Sequence, residues 1–127
     1  MNKNIKERDE ILFGEYKPDA YRYGGIRYFS RLDVSTLKRL IDANYIELDE
    51  CQNYSPTTED FCNFMETHPE FTDHGYAISD KRDDYRITIE GIESDEKCKD
   101  PETVEEFIAL CRFADEFNLN TPYAWWD

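Results

Sequence analysis

Positive charge is what this sequence has least of. Its 127 residues carry 15 Lys and Arg against 29 Asp and Glu, a formal net charge of −14. A chain of that sign repels a phosphate backbone, which argues against nucleic-acid binding driven by charge alone. Glycine and proline are sparse, five of each, and together with 15% aromatic residues this excludes a disordered or low-complexity chain. No apolar run approaches the roughly 18 residues that a membrane-spanning helix requires. The start, MNKNIKERDEILF, lacks the apolar centre of a secretory signal, so the expectation is a cytoplasmic protein.

Chemical signatures are missing as well. There is no nucleophile elbow, no phosphate-cradling glycine loop and no H-E-x-x-H pair, so the expected function is non-catalytic, with no cofactor. The four cysteines, Cys51, Cys62, Cys98 and Cys111, have no C-x-x-C spacing and read as reduced thiols, two of them on apolar helix faces. Cys51, Cys62, His68 and His74 match no compact zinc spacing, so no metal site is expected. SDKRDD at 79–84 lacks the calcium-loop pattern.

What is present suffices for one domain, 1–127, with residues 1–20 as an N-terminal extension and 119–127 as an aromatic C-terminal tail. Charge is unevenly spread: residues 14–44 hold six Lys/Arg and four Asp/Glu, whereas residues 45–127 hold six and 22. The acidic two-thirds of the chain suits solubility, a basic partner, or mimicry of nucleic acid.

The apolar pattern predicts three to four helices and one hairpin. Residues 4–13 can form a short helix. Gly24-Gly25 between alternating aromatics reads as a two-residue hairpin turn or as a loop delivering tyrosines to the core. Val34, Leu37, Leu40 and Ile41 keep helical spacing behind Asp33 or Ser35 as N-cap, and Asn44 suits a left-handed stop. Ser55-Pro56 reads as N-cap and first residue of a helix with Phe61, Cys62, Phe64 and Met65 on its buried stripe. Tyr76 and Ile78, then Tyr85, Ile87 and Ile89, alternate as the two strands of a hairpin over about 75–91. Asp100-Pro101 opens a long helix over 101–118, whose apolar face is wide enough to serve a homodimer.

Two fragments resemble MarR-type bacterial regulators, which have a winged-helix fold. Their wing often reads D-x-R and closes on L/I-T-x-x-G; here Asp80-Lys81-Arg82 sits at the tip and Ile87-Thr88-Ile89-Glu90-Gly91 closes it. Leu37-Lys38-Arg39-Leu40, running on to Tyr45-Ile46, is similar to the helix exit before such a wing. The resemblance covers about 30 residues and implies an α+β, winged-helix-like domain. It also implies a dimeric DNA-binding regulator presenting Lys38, Arg39, Lys81, Arg82 and Arg86. The departures oppose that use. About 25 residues intervene between the 34–43 helix and the hairpin, and the alternative recognition helix, 56–67, offers carboxylates where a groove reader needs donors.

The stronger candidate is an interaction surface. Tyr21, Arg22, Tyr23, Arg27, Tyr28 and Arg31 combine the two residue types that dominate interface hot spots, and Trp125 and Trp126 add aromatic area in the tail. The same pattern fits tyrosines packed inward with arginines paired to surplus carboxylates, or an aromatic–arginine platform for single strands. The expected function is therefore a small acidic interaction or regulatory module whose partner is a protein, a basic one by charge. The alternatives are the DNA-binding regulator and an acidic inhibitor of a nucleic-acid-binding protein.

Overall fold

A computed structural model describes all 127 residues. In chain order the elements are α1 (Ile5–Phe13), a 3-10 turn (Pro18–Ala20), β1 (Ile26–Leu32), α2 (Val34–Asp42), α3 (Thr58–Thr67), β2 (Thr72–Ile78), β3 (Ile87–Glu93), α4 (Pro101–Leu110), β4 (Glu116–Asn118) and β5 (Tyr123–Trp125). The fold is α+β, with one five-stranded antiparallel sheet ordered β1-β2-β3-β5-β4. No helix is long and apolar enough to cross a membrane.

The helix starts are written locally. Asn4, Asp33 and Asp100 each accept a hydrogen bond from the backbone N–H three residues on, satisfying a donor the helix leaves open. Thr57 and Asp60 form a reciprocal capping box for α3. This corrects the expected start at Ser55-Pro56: Ser55 lies two residues upstream, buried, where its hydroxyl accepts from the Gln52 N–H. Asn44 ends α2 at φ 63°, as its spacing predicts.

The second half of the chain departs from expectation. The hairpin at about 75–91 is not free; β1 pairs along β2, and β5 pairs with β3 at 91–93. The long helix over 101–118 stops at Leu110, and residues 116–118 become a strand. Helical spacing is outweighed there by pairing: Phe117 leaves the helix register, lies opposite Ala124 and still reaches Phe107, 5.4 Å between ring centroids. Of the wide face assigned to a dimer, Phe107 and Cys111 are buried inside the chain, while Ile108 and Phe113 remain exposed. The Gly24-Gly25 turn is a three-residue loop, closed by paired backbone bonds between Arg22 and Ile26, with Tyr23, Gly24 and Gly25 all at positive φ.

The core lies on one face of the sheet. Phe29, Leu32, Ala77, Ile87, Ile89, Ile92 and Ala124 from the strands meet Leu37 and Leu40 of α2, Phe61, Phe64 and Met65 of α3, and Phe107 of α4. Each of the leucine, isoleucine, phenylalanine and methionine side chains contributes about 1.5–3 kcal/mol when fully buried. Tyr28, Tyr76, Thr88, Tyr123 and Trp125, at alternate positions, point to the opposite face, where Tyr28 is exposed, Tyr76, Tyr123 and Trp125 are half-buried and Thr88 is buried.

Candidate functional site

This face of the sheet, open at Tyr28, carries a row of aromatic side chains set by strand register. Tyr28 stands opposite Tyr76, their rings edge to face at 6.2 Å, and Tyr28 is 62% exposed. His74, Gly91 and Trp125 lie across three adjacent strands. The His74 ring stacks on Tyr123, 5.4 Å between centroids and 10° between planes.

Carboxylates border this row. Burial raises the Tyr123 phenol, and the charges of Glu116, Glu93 and Glu90 push it up further. The His74 imidazole is pushed down by burial, only partly opposed by Glu93, whose Oε1 lies 3.7 Å from Nδ1. Aromatic faces among carboxylates form a setting for a cationic side chain, which gains from both the ring quadrupoles and the charges.

A cleft adjoins this face beside β3. It holds about 620 Å³ between the 46–58 segment and the strand, with Phe61 as its apolar floor. Its polar wall is a relay. Arg86 donates from Nε to Thr88 Oγ1 (2.9 Å) and from Nη2 to the Tyr76 hydroxyl (3.1 Å). Tyr76 donates to Gln52 Oε1 (3.3 Å), and Gln52 Nε2 donates to the Trp126 carbonyl (2.9 Å). Arg86 also pairs with Asp84 at 3.3 Å, so its charge is already met within the chain. Glu50 lines the cleft half-buried, and its carboxyl is raised above the ordinary range, chiefly by burial and then by Glu47.

The structure disperses the Tyr/Arg group named from sequence. Tyr23 is 82% exposed on the turn, and Tyr28 is on the open face. Arg22 is exposed in the turn's closing bridge. Arg27 lies over the Phe13 ring at 3.6 Å, and Arg31 pairs with Asp95 at 3.1 Å. Tyr21 is half-buried in a clasp: Arg8, fully buried, donates to Asp9 (3.0 Å), to the Ile78 carbonyl (3.0 Å) and to the Tyr21 hydroxyl (2.7 Å), and Tyr21 in turn donates to Asp9. Of the two tryptophans, Trp125 borders the open face, but Trp126 is wholly buried against Phe61 and is removed from the candidate contact residues. The Trp126 backbone N–H pairs with the Glu90 carbonyl, and strand alternation from Trp125 places the Trp126 ring in the core.

Among the basic residues of the winged-helix alternative, Lys38 pairs with Glu66 at 3.0 Å, and Arg82 and Arg86 share Asp84. Lys81 and Arg39 are exposed. No three His, Cys, Asp or Glu side chains gather as a metal-binding group; His68 instead meets Glu106 across α3 and α4 at 2.5 Å. Sequence reasoning missed His74, Tyr76, Arg86 as a relay member, Gln52 and Glu50. Alternation on β2 and β3 could have placed Tyr76 with Thr88; nothing in the sequence brings the 46–58 segment beside them. No protein-family model, curated protein or solved structure matches the chain.

Proposed function

We propose that this chain is a non-catalytic interaction module that takes a basic segment of a partner protein on the open face of its sheet. The observation that supports this reading is the company of Tyr28, Tyr76, His74, Tyr123 and Trp125 with Glu90, Glu93 and Glu116 on one face of the sheet, where Tyr28 is exposed. Aromatic side chains give contact area at low entropic cost, and the carboxylates select cationic partners and repel acidic ones. The net charge of −14 adds long-range attraction to the same partners.

The winged-helix resemblance supplies a second reading, a dimeric DNA-binding regulator using Lys38, Arg39, Lys81, Arg82 and Arg86. It is the weaker one, because three of those five cations are already paired with carboxylates in the chain. Affinity capture from cell extract tests both, using the wild-type chain beside a Tyr28→Ser/Trp125→Ser variant, at low and moderate salt, with nuclease in parallel. The expected result is a stoichiometric basic protein that survives nuclease, is retained by the wild type and is lost by the variant. Nucleic acid recovered equally by both chains, and lost on nuclease treatment, would support the regulator instead.

A further inference from the structure

The sheet ends at β4, and the outer side of that strand is unpaired. The Ser94 N–H donates to the Pro122 carbonyl and the Trp126 N–H to the Glu90 carbonyl, so even-numbered residues of 122–126 face β3. Backbone direction alternates along a strand, so Tyr123 and Trp125 face β4, where they meet Asn118 and Glu116. Phe117, between those two, therefore directs its N–H and C=O away from the sheet. Beside it, no backbone bond reaches the Leu119 N–H or the Asp115 carbonyl. Glu116, Phe117 and Asn118 are all exposed.

We propose that β4 is the contact of a homodimer, in which it pairs antiparallel with its own copy about a two-fold axis at Phe117. The open groups are self-complementary in that register. Phe117 N–H and C=O exchange bonds with Phe117 of the second copy, and each Leu119 N–H meets the Asp115 carbonyl opposite. Glu116 then stands across from Asn118 of the second copy, at the closer spacing of a non-hydrogen-bonded pair. Asn118 Oδ1 already accepts from the Asn120 and Thr121 N–H groups, which leaves Nδ2 to donate to the Glu116 carboxylate across the axis. The register thus sets a donor, and no like charge, opposite each Glu116.

Apolar surface lies along the same edge. Val104 and Leu119 line one hollow of about 350 Å³. Ile108, one turn along α4 from Val104, is 45% exposed, and Phe117 and Leu119 are 44% and 37% exposed. Two-fold pairing brings this strip against its copy. The contact is small beside the roughly 1,600 Å² of a standard interface, so a weak dimer of micromolar order is expected.

The opposite edge explains why assembly stops at two. β1 carries a bulge between Phe29 and Leu32, Arg31 sits there at φ 57°, and Arg27 adds a second charge. A sheet with one usable edge closes on a single two-fold axis instead of growing into a fibre. Dimerisation does not depend on the basic-partner reading, and salt separates the two. Each copy carries a net charge of −14, so screening strengthens self-pairing, whereas it weakens capture of a cationic partner.

The test is sedimentation equilibrium of the full chain from about 10 μM to about 1 mM, at low and moderate salt. The expected mass rises with concentration from one chain to two and stops there, with tighter association at the higher salt. Asn118→Asp keeps an acceptor for the Asn120 and Thr121 amides but sets a carboxylate opposite Glu116. It should weaken the dimer about tenfold. Adding Glu116→Gln places a donor opposite the new carboxylate and should restore most of the loss. A chain monomeric throughout, or assembly past two copies, would overturn the pairing. So would a dimer indifferent to Asn118→Asp, or one that Glu116→Gln fails to rescue.

Discussion

The His74 ring lies on Tyr123 and also closes over Gly91, where an added Cβ would come within 2.3 Å of the imidazole and 2.5 Å of the Ala124 carbonyl. The closing glycine of the Thr88-x-x-Gly91 run is thus fixed by cross-strand packing. Gly91→Ala should lower stability by about 1–3 kcal/mol, the usual cost of overpacking, read by denaturant unfolding. Adding His74→Ala should recover only part of the loss, because the backbone carbonyl remains in the way. Full recovery would mean that the ring alone demands glycine.

Asp73 shows a buried carboxyl without a partner. It is wholly buried on the core side of β2, both oxygens lack a hydrogen-bond partner, and burial drives its pKa well above the ordinary value. The folded state therefore holds a proton that the unfolded state releases above about pH 3.9. In that window the unfolded chain binds fewer protons, so this residue makes stability fall as pH rises, until the folded carboxyl itself ionises. The Asp73→Asn variant should lack this component, with its advantage over wild type growing by about 1.4 kcal/mol per pH unit inside the window. Parallel stability–pH curves for the two proteins would exclude a protonated Asp73.

How much of this was legible in the sequence follows from the range of the interactions. Helix starts depend on a side chain and a backbone N–H three residues away, so Asp100 could be read directly and Asp33 stood as one of two candidates with Ser35. The left-handed stop at Asn44 is equally local. Strands β4 and β5 are three residues each, too short to show an alternating pattern, and exist because Phe117 meets Ala124 and Gly91 meets Trp125. The cleft was hidden for the same reason: Gln52 and Tyr76 are 24 residues apart and meet only when α3 has packed. The division of the Tyr/Arg group was not legible because neighbours in sequence are sent to different places, Tyr21 into the Arg8 clasp and Tyr28 onto the exposed part of the sheet.

That clasp makes its own prediction. Arg8 and Asp9 are buried side by side, and the guanidinium also lies over the Tyr85 ring at 4.6 Å. Removing one member strands the other charge, so Arg8→Met should cost about 3–5 kcal/mol. Arg8→Met/Asp9→Leu should cost less than Arg8→Met alone, because no uncompensated charge is left. Additive losses in the double-mutant cycle would show that the two residues stabilise the fold independently.

The adjacent tryptophans divide stability from recognition. Trp126 has no exposed surface and packs edge to face on Phe61 at 5.7 Å, yet its indole N–H has no partner. Trp126→Ala should cost about 3–5 kcal/mol, whereas Trp126→Phe should cost much less, because losing an unsatisfied buried donor offsets part of the lost packing. Trp125 is half-buried on the open face, so Trp125→Ala should change the unfolding midpoint little and reduce binding of a basic partner instead. Circular-dichroism melts of the three variants, set beside their partner affinities, separate the roles. A Trp125→Ala variant that unfolds as readily as Trp126→Ala would assign both indoles to the core and remove Trp125 from the binding face.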